Sequence, residues 1–200
     1  MKKKSKKRSK KKSRKGKVLF LLIMLGIGLG ILALFHQEIL NSIKPVVKRP
    51  SIPEEKKEVL VYFSDGEGEY LVGEKREILR KGDVKEEAKE TINELIKGPK
   101  RRLIPTLPSS TKLLSIQLSE DGVAKINFNK NLSQDHPGGS SAEMMTLYSI
   151  VNSLTHNFPE IKRVQILIEG KPVETIAGHL SLRKPVSPNP DLIKGMVRKK

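Results

Sequence analysis

The chain of 200 residues contains no cysteine. That absence excludes a disulfide framework, a thiolate nucleophile, cysteine-ligated metal and lipid attachment at an N-terminal cysteine. Other absences narrow the chemistry further. His36, His136, His156 and His179 show no H-x-x-x-H or comparable ligand spacing, so no metal motif is present. There is no G-x-S-x-G nucleophile elbow and no glycine-rich phosphate loop followed by Lys and Ser/Thr. No internal repeat is visible. The expectation is a protein without catalytic residues, metal or cofactor.

Two local absences define the N-terminal region. Between Lys2 and Lys17 there are twelve basic residues and no acid, and between Val18 and Phe35 there is no charge at all. An apolar run of this length is enough to cross a hydrocarbon core as a helix, for which ~17–25 residues suffice. Backbone polar groups in lipid must be bonded internally, so a single span is a helix. Basic flanks stay on the cytoplasmic side. The pattern predicts a single-pass protein of the cytoplasmic membrane, N-terminus inside and the remainder outside. A cleaved signal peptide has a shorter apolar region, ~7–15 residues, and ends at small residues; Ala33-Leu34-Phe35-His36 offers no such pair. An uncleaved anchor is therefore expected.

The net charge of +17 is concentrated in the basic head and in Lys194, Arg198, Lys199 and Lys200. The middle of the chain is close to neutral, as on an ordinary soluble domain. A basic head beside a membrane span reads as topology and attraction to anionic lipid, and no specific nucleic-acid partner is expected.

The organisation expected is a basic cytoplasmic tail over 1–17, a transmembrane helix over 18–35, a Pro- and charge-rich linker over 36–58, one folded domain over 59–185 and a flexible basic tail over 186–200. Within the domain, Asp83 and Glu86 form a capping-box pattern. Val84, Ala88, Ile92, Leu95 and Ile96 follow at helical spacing, and Gly98-Pro99 stops the helix. A second helix starts near Ser140, with Glu143 in the matching capping position and a stripe of Met144, Leu147, Tyr148, Val151 and Leu154. Strands are predicted at Val59–Phe63, weakly at Glu77–Arg80, and as hairpins at Leu113–Leu118 with Val123–Phe128 and at Val164–Glu169 with Lys171–Ile176. The order is ββα-ββα-ββ. The fold class is α+β, with two helices packed on one face of a mostly antiparallel sheet.

Several segments occur together in a recognisable order: Ile92-Asn-Glu-Leu-Ile-Lys-Gly-Pro99, Gly122-Val-Ala-Lys-Ile-Asn-Phe-Asn129, the Gly-Ser-Ser-Ala-Glu run ending at Glu143, Ser149-Ile-Val-Asn-Ser-Leu-Thr155, and Val164 through Ala177-Gly178-His179. Together they resemble the GerMN domain, named after the spore germination protein GerM, over roughly 59–185. The resemblance implies an extracytoplasmic α/β module tethered to a membrane. It also implies association with sporulation, germination or cell-envelope assemblies, and no enzymatic activity. This chain carries one copy and a helical anchor, whereas the best-known members are lipoproteins and some are tandem.

Ser140, Ser141, Asp135 and His136 lie close in sequence, but helix capping accounts for the serines and Glu143. Candidate ligand or partner positions are Gly138 and Gly139 ahead of the second helix, His179 in the family-like run, and the basic cluster Lys100, Arg101 and Arg102. The partners expected are the membrane and an envelope protein or a second copy, with a cell-wall polymer as the alternative ligand. An exposed sheet edge or the uncovered sheet face is the expected docking surface.

Overall fold

A computed structural model describes residues 14–43 and 55–195. The chain divides into two compact units, Met1–Ile52 and Pro53–Lys200.

In the first unit, helix α1 runs from Arg14 to Ile43. Its apolar side chains are exposed, Phe20 by 65 % and Leu34 by 80 %. The window Gly16–His36 is long and apolar enough to cross a membrane. The helix overruns the predicted span at both ends, since Arg14–Lys17 and His36–Ile43 continue its turns. The linker expected over 36–58 is therefore reduced: α1 takes its start, a strand begins at Lys56, and 44–54 lie outside the described residues, as do 1–13.

The second unit opens with a hairpin, β1 (Lys56–Ser64) against β2 (Leu71–Leu79), in unbroken antiparallel register. β2 begins six residues before the predicted strand. Its core-facing positions include Glu74 and Arg76, which are buried and hide the alternation from a hydrophobic pattern. Arg76 pairs with Glu74, lies 3.3 Å from a Glu94 carboxylate oxygen, donates to the Gly98 carbonyl at 2.8 Å and sits over the Phe63 ring. Paired and hydrogen-bonded in this way, the charges are tolerated in the interior.

Helix α2 (Val84–Ile96) is capped by Asp83, whose carboxylate accepts from Lys85 N–H at 2.9 Å. The return bond of a capping box, accepted by Glu86 from the Asp83 N–H, is not found among the described residues. Glu87 accepts from Lys81 and Gly82 N–H, while Glu86 pairs with Lys89 on the surface. Gly98 (φ 81°) closes the helix by donating to the Leu95 carbonyl.

A hairpin of β3 (Leu113–Leu118) and β4 (Val123–Phe128) turns at Asp121-Gly122. Gly122 is required there: φ is 81°, and a Cβ would meet the Glu160 carbonyl at 3.0 Å. A single helical turn, α3 (Asn131–Gln134), precedes α4 (Ser140–Asn157), after which β5 (Arg163–Ile168) pairs parallel to β4 and the two-residue β6 (Lys171–Pro172) pairs back on β5.

The α+β class and the ββα-ββα-ββ order hold, with α3 inserted. The single sheet does not. There is a two-stranded sheet β1-β2 and a four-stranded sheet β3-β4-β5-β6. The central β4–β5 pair is parallel because α4 returns the chain to the start of the sheet. Only Lys171 and Pro172 of the predicted last strand stay in it. Nor is α4 one-sided. It packs against both β1 and α2, with ten consecutive-turn residues between Glu143 and Leu154 buried. The main core joins Val59, Val61 and Phe63 of the hairpin to Ile92, Phe128, Ile150, Leu154 and Ile166.

The region after Pro185 is not a loose tail as far as Gly195. Val186 exchanges two backbone bonds with Val164, Asn189 is clamped by the Asn152 amide, and Ile193 is buried beside Tyr62, Leu71 and Met145. Apolar Ile193 and the paired asparagines hold what composition reads as Pro-rich tail. Residues 196–200 lie outside the described residues.

Candidate functional site

The start of α4 brings together Gly138, Gly139 and the backbone of His179, three of the six predicted positions. Gly139 (φ 86°) precedes the helix, and neither Ser140 nor Ser141 caps it. Ser141 instead donates from its hydroxyl to the Gly68 carbonyl at 2.8 Å, tying the β1–β2 turn to the helix. Glu143 is wholly buried and makes no capping-box bond. Its Oε1 accepts from the Ile176 and Ala177 N–H groups at 2.8 and 3.0 Å, and its Oε2 from His179 and Leu180 at 2.8 and 3.3 Å. Burial alone raises a carboxyl pKa. Here four aimed N–H groups outweigh it and hold Glu143 below the usual carboxylate range. The capping reading of Ser140, Ser141 and Glu143 is thus replaced by a carboxylate that organises the 176–180 loop.

His136 stands beside this loop. Its Nδ1 accepts from Gly138 N–H at 3.0 Å, which leaves Nε2 protonated and donating to Thr146 Oγ1 at 3.0 Å. Burial lowers its pKa, opposed by the Glu143 charge. The neutral ring is one link in a polar chain. Thr146 donates to the Thr106 carbonyl, Thr106 donates to Ser149 Oγ at 2.8 Å, and Ser149 donates back to the Thr146 carbonyl at 2.9 Å. Asp135 turns away to Ser110 and Asn131. The serines, Asp135 and His136 therefore do not assemble as nucleophile, base and orienting acid, which require mutual hydrogen-bond reach.

Between these supports lies a cleft of about 370 Å³, lined by Ile104–Pro108, Pro137, Ala142 and Met145, with Ser64, Gly68, Ser141 and Thr146 at its polar positions. Gly138 and Gly139 are not among its lining residues, although Pro137 and Ser141 on either side of them are. His179 is exposed, and its backbone is bound to Glu143 one turn inside the same helix end. Lys100–Arg102 lead into the Ile104 wall but do not line the cleft; Lys100 belongs to a charged recess along β2. Among the described residues no group of three or more His, Asp or Glu is placed to hold a metal ion.

The uncovered face of the four-stranded sheet is a second concavity, of about 430 Å³. Ser115, Gln117, Lys125, Asn127, Gln165 and Arg183 give it a polar floor.

The sheet edges differ sharply. On β1, Leu60 N–H and C=O are bound by the Asn157 amide at 2.9 and 2.6 Å, Tyr62 N–H by Ser153 Oγ at 3.0 Å, and Ser64 pairs with Ile104. The β5 edge is covered by β6 and by Val186. A bulge between Leu113 and Ser115 interrupts β3. β2 keeps a regular outer edge. The residues closing β1 belong to a polar stripe of Ser149, Ser153 and Asn157 at spacings of four on α4, a signal that the apolar periodicity of the helix does not carry.

Residues 60–174 match the sequence model of the Germane family, described as sporulation and spore germination. Among solved structures, the chain is similar to the tandem GerMN domains of the sporulation protein GerM from Bacillus subtilis. The identity is 27 % and the TM-score 0.52, over 67 % of this chain and 45 % of that one, so the chain spans less than half of that protein's crystallised length. The fold is also that of the first GerMN domain of the same protein (19 % identity, TM-score 0.53, 66 % of this chain and 97 % of that one). A Clostridium perfringens protein described as a lipoprotein aligns at 30 % identity over 66 % of this chain and 87 % of its own, with a TM-score of 0.49. No curated protein matches the chain.

Proposed function

Because the chain belongs to the Germane family of sporulation and spore germination proteins, we propose that it displays one GerMN domain outside the cytoplasmic membrane as a non-catalytic interaction module. The observation that carries this reading is α1. Its charge-free apolar segment has exposed side chains throughout and follows a head of twelve basic residues. A surface of that kind is stable in lipid and not in water, and the basic flank keeps the head inside. The anchor fixes location and the domain supplies the binding surface, in an envelope or sporulation-associated assembly.

The test is topological. A reporter fused after Lys200 that is active only outside the cytosol is expected to be active, and replacing most of the head lysines by glutamine is expected to lower that activity. A fusion active only in the cytosol rejects the reading.

The cleft beside Gly138 and Gly139 favours a second reading, an envelope ligand bound there. Its proline- and aliphatic-rich wall suits an extended apolar peptide segment better than a hydroxyl-rich glycan, since small-ligand sites combine apolar lining with a few placed polar groups. Ala142→Glu, at a half-buried position of the lining, narrows the cleft with a charge and is expected to abolish such binding in a pull-down while leaving membrane insertion unchanged.

A further inference from the structure

The outer edge of β2 carries an address. Leu60 and Tyr62 give their N–H groups to α4, so they point away from β2. Their cross-strand partners Lys75 and Gly73 must then point away from β1, because bonding and non-bonding pairs alternate in an antiparallel ladder. The Leu71 carbonyl confirms the phase by accepting from Lys194 N–H on the outer side. Gly73, Lys75, Glu77 and Leu79 therefore direct their backbone groups outward, and none of these groups has a hydrogen-bond partner among the described residues.

We propose that this edge pairs with the same edge of a second copy of the chain, antiparallel about a two-fold at Arg76. The charges select that arrangement. Lys75 is paired with Glu58, and Glu77 with Lys56; all four side chains are exposed. In the proposed register Lys75 lies opposite Glu77 of the second copy. Glu77, bridged diagonally to Lys56 of its own hairpin, then faces Lys75 of the second copy, itself bridged diagonally to its own Glu58, so opposite charges meet at the seam. A slip of two residues in total register sets Lys75 against Lys75 or Glu77 against Glu77, and parallel in-register pairing sets like against like. Opposite charges across a strand pair stabilise it and like charges destabilise it. Charges on an edge discourage indiscriminate strand addition; here they admit one partner. The recess beside the edge, reaching from Lys75 to Glu94 and Lys100, leaves the approach open. The inference deepens the display reading and rests on it for where the two copies meet.

The cysteine-free chain makes the test direct. Full-length Lys75→Cys and Glu77→Cys variants are co-expressed, and membranes are treated with a short bis-thiol reagent. The mixed pair is expected to crosslink faster than either variant alone. By sedimentation of the full chain in detergent, Lys75→Glu is expected to weaken dimerisation about tenfold, and the double variant Lys75→Glu/Glu77→Lys to restore it. Thermal melts of each variant check folding, which exposed charge changes should leave intact. Absence of the mixed crosslink, or failure of the double swap to restore the dimer, overturns the proposal. The topological reporter scores the display reading separately, so a monomer whose domain lies outside removes the pairing alone.

Discussion

Glu143 is the residue on which the site's geometry turns. One carboxylate holds four consecutive-region N–H groups, from Ile176 to Leu180. In Glu143→Gln one of its two ends becomes a donor facing N–H groups. The expected cost is about 2–4 kcal/mol of stability, since buried donors are left unsatisfied; chemical denaturation measures it. The pH dependence follows from the same groups. Glu143 is held below its ordinary value near 4.5, so its contribution is complete above that value and is lost progressively as pH falls below it toward the lowered folded-state pKa. His136 is held below 6.5 by burial. The unfolded chain therefore takes up that proton first, and stability declines as pH drops below 6.5. Urea midpoints are expected to fall from neutral pH into the acid range below 4.5, first through His136 and then through Glu143. His136→Asn is expected to flatten the upper part of that curve, and Glu143→Gln the lower part. In sequence, Glu143 is visible as an acidic residue three places after Ser140. The pattern matches a capping box, and only the distant 176–180 loop shows that its bonds go elsewhere.

At the level of elements, α4 serves as a substitute strand. Ser153 and Asn157 bind the β1 backbone where a neighbouring strand would stand, and Asn152 does the same for Asn189. Replacing Ser153 and Asn157 together by Ala leaves two β1 N–H groups without partners. The expected loss is about 1–3 kcal/mol for each bond, with faster hydrogen exchange at Leu60 and Tyr62 than elsewhere in the hairpin. The single turn of α3 is too short to show a period. The apolar run of α1, the helical spacing of α2 and α4, the Asp121-Gly122 hairpin and the stop at Gly98 were legible, because periodicity and turn chemistry act locally. The start of β2 was not, because Glu74 and Arg76 occupy core-facing positions and their compensation comes from Glu94 and Gly98, distant in sequence. The parallel β4–β5 pair was equally hidden, since strand direction is set by a crossover and not by the strand's own residues.

For the molecule as a whole, the apolar run and its basic flank were readable because length and charge are sufficient for a span. The extent of the folded unit was not, since Ile193 lies among prolines and charges and only its burial against Tyr62 and Leu71 reveals its place. That contact sets an order of events in biogenesis. The β1–β2 hairpin emerges early from the ribosome, yet its Tyr62 face is covered by Met145 and Ile193, and Asp65 waits for Lys194. Contacts so remote in sequence form slowly. The earliest-made part of the domain thus stays unfinished until the latest-made part arrives, and the nascent chain travels with an open greasy flank that a chaperone can hold.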